Sequence, residues 1–168
     1  MDFQDIILKL NQYWAKQGCA VMPPGPVAGF PAQPAHLCLA GAARAALGAG
    51  GPGDLPGRYR YLVLLRPAPP DIRRVFLNSL KAAGLDRAEH DVRWLAADRE
   101  TGPGWELLLD GLPAARFVYP RQAGGVELVF SLERLALASQ RRKNTSDLAW
   151  AGRLTYGDLH SGPDGEGA

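Results

Sequence analysis

Long apolar runs are missing from this chain. Charged residues interrupt even the opening stretch DFQDIILKLNQYWAKQG, and nowhere does an uncharged apolar segment reach bilayer length, so no membrane span is expected. Cysteine is nearly absent. Cys19 and Cys38 show neither a CxxC spacing nor accompanying histidines, and no secretory leader precedes them, which predicts a reducing cytoplasm and no disulfide. The three histidines, His36, His90 and His160, are scattered without ligand spacing, so no structural metal is expected. A dominant charge is lacking too. The net charge of +2 is too slight to announce nucleic-acid binding, and no DNA partner is expected. Arg73-Arg74 and Arg141-Arg142-Lys143 read as solvated faces.

What is present is enough for one core. The chain has 168 residues and an apolar share of 46%, ordinary for a single globular domain. Gly and Pro, 20 and 14 of them, gather between Met22 and Gly57 and at the end of the chain, marking those parts as loop-rich. We expect a folded core over residues 1–160 and a disordered tail over 161–168, SGPDGEGA.

Apolar residues Ile6, Ile7, Leu10, Tyr13 and Trp14 recur at helical spacing after Asp2, a good N-cap, which predicts a helix over about 3–17 closed by Gly18. Cys19 to Met22 reads as a short strand. Pro23 to Pro34 is too rich in proline for regular structure, and the Ala-rich Ala35 to Leu47 suggests a short helix before a flexible Gly48 to Gly57. YRYLVLL, residues 59–65, is a strand ended by Pro67. A helix follows, with Asp71 as N-cap, Ile72, Val75, Phe76 and Leu80 facing inward, and Gly84 at its end. HDVRWL is a further strand. GPGWELLLDG and ARFVYPRQAGG read as antiparallel strands joined at Asp110-Gly111, with Glu106 and Leu108 sharing one face, as do Arg116 and Val118. Near the end, Tyr156-Gly157-Asp158 reads as a turn.

The stretch with most chemical promise is VELVFSLERLALASQ, residues 126–140. An alternating strand, Val126 to Phe130, runs through Ser131 into a helix carrying Leu132, Leu135 and Ala136 on one side. Such a junction aims the first helical turn, with its N–H groups and partial positive charge, out of the sheet edge, and Arg134 adds a full charge. The plain alternative is a buried strand and a helix bearing one Glu-Arg pair.

LERLAL after a strand resembles motif 3 of the class II aminoacyl-tRNA synthetases, whose arginine holds the ATP phosphate tail against the adenine. FQDIILKLNQYWAKQGCAV, the PAPPDI helix with HDVRW, GWE with LDG, and TYGD narrow the resemblance to the bacterial glycyl-tRNA synthetase α subunit. It implies an α+β fold, an antiparallel sheet flanked by helices. It implies ATP and Mg²⁺ as cofactors, Arg134 on the ATP tail, Glu133 as a catalytic residue binding Mg²⁺ or ordering its water shell, and Glu106 taking a substrate ammonium. Gln122 and Arg116 fall in the amino-acid pocket. Arg58 or Arg60 would have to replace a missing arginine for the α-phosphate. A homodimer, a β-subunit-like partner and a cytoplasmic location follow from the resemblance, with tRNA left open.

The chain also departs from that pattern. The long motif 2 loop is reduced to GAGGPGDLPGR, two strand glutamines align with Arg60 and Leu62, and a Gln and a Thr of the pocket align with Arg116 and Val118. The motif 3 glycine becomes Ser131. An apolar Leu cannot supply an amide hydrogen bond, at a cost of about 1–3 kcal/mol for a buried partner. The expected function is therefore a synthetase paralog with reduced or lost tRNA charging that serves as a binding or regulatory module. The alternative is ATP-dependent activation of glycine or another small acid, with transfer to tRNA or another acceptor.

Overall fold

A computed structural model describes residues 1–22, 25–26, 36–45, 55–99, 102–121 and 124–160. Gln122 and the 161–168 tail lie outside them. The helix α1, Phe3–Lys16, starts where Asp2 accepts the Asp5 amide at 2.8 Å and buries Phe3, Ile6, Leu10 and Trp14. Strands β1 (Ala20–Val21), β2 (Gly25–Pro26), β3 (Leu37–Arg44), β4 (Tyr59–Arg66), β5 (Val92–Arg99), β6 (Gly102–Leu109), β7 (Leu112–Val118) and β8 (Val126–Ser131) form one sheet. Its order is β1-β3-β4-β8-β7-β6-β5, with β2 also on β3. The long strands are antiparallel neighbours, and β1 and β2 run parallel to β3. The expected sheet flanked by helices is present, with a parallel fringe at one edge.

Helices α2 (Ile72–Ala82) and α3 (Leu132–Gln140) join α1 on one face of the sheet. Alternation decides what they meet: Tyr61, Val63 and Leu65 of β4, Phe117 of β7, and Val126, Leu128 and Phe130 of β8 all turn towards them. Phe76 sits at the centre, 4.8 Å from Phe117 and 5.1 Å from Phe130 between ring centroids. Burying each such side chain contributes about 1.5–3 kcal/mol. After α3, a single 3₁₀ turn (Thr145–Asp147), strands β9 (Ala149–Ala151) and β10 (Leu154–Thr155), and helix α4 (Tyr156–His160) close over the start of α1, where Phe3 and Trp150 stack at 4.5 Å.

Four expectations are corrected. The Ala-rich stretch expected as a helix is β3, all eight residues of which pair with β4. Helical propensity yields there to pairing, and small side chains suit the crowding: a Cβ on Gly41 would lie 2.8 Å from the Met22 carbonyl oxygen. Cys19 and Cys38 are joined in a disulfide, because β1 lies parallel to β3 with Ala20 opposite Leu39, which makes the two cysteines neighbours. Asp71 precedes α2 without capping it, and its carboxylate turns to Arg74 at 2.5 Å. The expected turn at 156–158 is the start of α4. Thr155 and Asp158 exchange hydrogen bonds of 3.0 and 3.1 Å, a reciprocal capping pattern that starts the helix. Among the described residues no helix is long and apolar enough to cross a membrane.

Candidate functional site

The end of β8, the beginning of β4 and the first turn of α3 meet at one end of the sheet, where Ser131 lies opposite Arg60. Ser131 caps α3 by accepting the Arg134 amide at 3.4 Å and donates its own hydroxyl to the Pro56 carbonyl at 2.8 Å. Arg60, 6% exposed, donates to the carbonyls of Pro56 at 3.0 Å and Gly57 at 2.9 Å, and also to that of Leu55. Its guanidinium therefore holds the approach to β4.

Glu133 grips the same segment from the helix. It is 3% exposed, and its carboxylate accepts from the amides of Arg58 at 2.8 Å and Tyr59 at 3.2 Å and from the Tyr156 hydroxyl at 2.9 Å. Burial raises its pKa above the usual glutamate value, and these hydrogen bonds oppose the rise. Gly57 sits at φ +97°, and a Cβ there would come within 2.3 Å of Glu133 Oε1, so the tight fit requires glycine. Expected as a Mg²⁺ ligand, Glu133 faces protein donors on both oxygens.

Arg134 is placed differently. It is half-buried and, among the described residues, its side chain makes no hydrogen bond or ion pair. Arg44 stands at the end of β3 opposite Tyr59, and Arg58 precedes β4. Burial raises the Tyr59 pKa, the Arg44 and Arg58 charges oppose the rise, and the Glu133 carboxylate adds to it. Arg44, Arg58 and Arg134 thus lie on elements that meet at one end of the sheet, beside the first turn of α3. Arg44 was not singled out from sequence. Only its pairing with the first residue of β4 brings it here.

The remaining expected residues lie on the sheet face away from the helices. One row runs Leu95, Glu106, Arg116, Val129, Leu62, Gly41 across six strands. Glu106 and Arg116 are directly opposite, a register set by the bulge between Leu107 and Leu108. In the adjacent row Glu127 stands between Val118 and Leu64; burial raises its pKa, and the Arg116 charge opposes this. Glu127 was missed as a site residue, although its alternation with Val126 and Leu128 in VELVF marks it as facing away from the core.

Comparison with known proteins gives two kinds of match. The family model described as "Glycyl-tRNA synthetase alpha subunit" matches residues 48–167. A solved structure of the pyrrolysyl-tRNA synthetase of Desulfitobacterium hafniense is similar at a TM-score of 0.62 and 11% identity, covering 89% of this chain and 73% of that one. A second structure of a pyrrolysyl-tRNA synthetase from the same organism gives a TM-score of 0.63 at 12% identity, covering 92% and 75%. At such identities the structures speak for the fold alone, which is that of a class II synthetase catalytic domain. The family match spans well over half of the sequence, and the chain belongs to the glycyl-tRNA synthetase alpha subunit family.

Proposed function

We propose that this chain is a nucleotide-binding module of the glycyl-tRNA synthetase alpha type in which tRNA charging is reduced or lost, acting as a binding or regulatory partner. The row Glu106, Arg116, Val129, Leu62 carries this reading. Where a small polar substrate would need hydrogen bonds from the middle of the sheet, the chain offers two apolar side chains and a carboxylate set opposite a guanidinium. Substrate amides and ammonium groups desolvated against such a face would lose bonds at about 1–3 kcal/mol each.

The end of the sheet favours retained nucleotide binding. Arg134, supported by Arg58 and Arg44, would hold the phosphates of ATP, while Arg60 is committed to the carbonyls of Leu55, Pro56 and Gly57. ATP, when bound in an active relative of this fold, supplies the adenylyl group. Glu133 does not fit a role in binding Mg²⁺: its carboxylate is buried and already accepts from two amides and a hydroxyl.

The description of the family as an alpha subunit supports a β-type partner, and we place the protein in such a complex or in a homodimer. A second reading, activation of glycine or another small acid as an adenylate for tRNA or another acceptor, is favoured by the partial exposure of Glu106 on the sheet face away from the helices. Calorimetric titration with ATP and amino-acid-dependent ATP–pyrophosphate exchange separate the two. We expect ATP binding without exchange. Glycine-dependent exchange would establish the second reading, and absence of ATP binding would overturn the first.

A further inference from the structure

Strand β5 ends the sheet, and among the described residues it pairs with β6 alone. The edge is long and contains no proline. Its pairing with β6 fixes which backbone groups are left over. Asp91 offers its carbonyl to the Asp110 amide at 2.8 Å, continuing the register in which Val92 faces Leu109, so the odd-numbered residues of β5 turn their amides and carbonyls to β6. Val92, Trp94, Ala96 and Asp98 turn theirs away from the sheet. Such a row is a template for another strand. The edge is also firmly held before any neighbour arrives. On the helix side the Trp94 ring meets Phe76 and Phe117 at 5.6 and 5.2 Å between centroids, and the Arg73 guanidinium lies over it at 5.0 Å. Its charges are neutralised locally, Arg93 on Asp91 at 2.8 Å and Asp98 on Arg121 at 2.6 Å. Leu95, on the other face, is 49% exposed.

We propose that β5 pairs antiparallel with β5 of a second copy of this chain, about a two-fold axis at Leu95, so that two sheets become one. The proposal rests on the homodimer named in the reading above and gives it an interface. A two-fold axis through a continuous sheet keeps each face on its own side, so residues opposite one another are both odd or both even. With the axis at Leu95, Trp94 faces the partner's Ala96 and Val92 faces the partner's Asp98, and every outward amide and carbonyl of these four residues finds a partner. An axis at Trp94 or at Ala96 sets Asp98 or Val92, respectively, against residues outside the strand. At the axis the two leucines form a pair of the closer kind, with Cα atoms about 4.5 Å apart, and shield each other from water. Arg93 falls opposite the partner's Ala97, so no like charges meet across these pairs. The match of large Trp94 with small Ala96, and of Leu95 with itself, is what selects a second copy as the occupant of this edge.

The test is the mass of the full chain in solution, measured by sedimentation velocity as concentration is raised. The unaltered chain should approach twice its 18.1 kDa mass. Ala96→Pro removes one outward N–H and spares the β6 ladder, because that amide does not face β6, and should raise the dimer dissociation constant roughly tenfold or more. Leu95→Lys sets two positive charges against each other at the axis and should weaken the dimer similarly, while the exposed position leaves the monomer folded by circular dichroism. Leu95→Cys should close a covalent dimer under mild oxidation, whereas Leu112→Cys, at a comparably exposed site beside the β6–β7 turn, should not. A dimer that Ala96→Pro and Leu95→Lys leave unweakened would overturn the inference and leave the homodimer reading standing. A chain that stays monomeric at every concentration would overturn both.

Discussion

Glu133 gives the folded state a pH signature. Burial lifts its pKa above the ordinary 4.5, so above that value the native state holds a proton that the unfolded chain has already released. Stability should therefore fall as pH rises from 4.5 through the folded pKa, with the raised Glu127 adding to the same slope. Asp110, whose pKa is lowered on folding by the His90 hydrogen bond against the cost of burial, acts in the opposite sense, losing its contribution as pH falls below 3.8. Melting temperatures across this range should show a flatter decline for Glu133→Gln than for the parent. The variant should also lose about 1–3 kcal/mol, because one amide oxygen cannot serve all the donors the carboxylate satisfies. A parallel slope would mean that Glu133 does not titrate differently on folding. Arg134→Ala carries the complementary prediction: a change in stability within about 0.5 kcal/mol, as for a side chain with no polar partner among the described residues, but ATP affinity reduced roughly tenfold or more. Destabilisation without loss of affinity would make Arg134 a scaffold residue.

Among the elements, the disulfide and β3 mark what the sequence did not disclose. Helix α1, strands β4 to β8 and the β8–α3 junction were legible because alternation and helical spacing were set by residues that each face one core. β3 was not, since Ala40, Ala42 and Ala43 favour a helix in isolation and become a strand only because β4 and the crossing at Gly41 claim them. The Cys19–Cys38 bond depends on a parallel pairing between segments 19 residues apart, which neither segment encodes alone. Closing a loop of that length contributes about 3 kcal/mol. Urea unfolding should show a loss of that order on reduction, and Cys19→Ser with Cys38→Ser should match the reduced chain. Equal stability of oxidised and reduced protein would show that the bond constrains little.

For the molecule as a whole, the fold was readable because several blocks in a fixed order all point to one sheet, while the site was readable only in part. Arg134 stands out beside its strand, whereas the register of Glu106 with Arg116 depends on a bulge between Leu107 and Leu108 that alternation does not announce. The commitment of Arg60 to the carbonyls of residues 55–57, and of Glu133 to the amides of Arg58 and Tyr59, depends on contacts across the sheet that no local pattern announces. Those contacts bear on function, because they turn two groups expected to meet ATP and Mg²⁺ towards the chain itself. The proposed function is that of a synthetase fold that binds nucleotide without activating an amino acid. The most direct test is ATP–pyrophosphate exchange with glycine and a panel of small acids, on protein whose ATP binding is measured in the same preparation. The account predicts ATP binding that depends on Arg134 and no exchange above background; exchange that requires glycine and disappears in Arg134→Ala would contradict it.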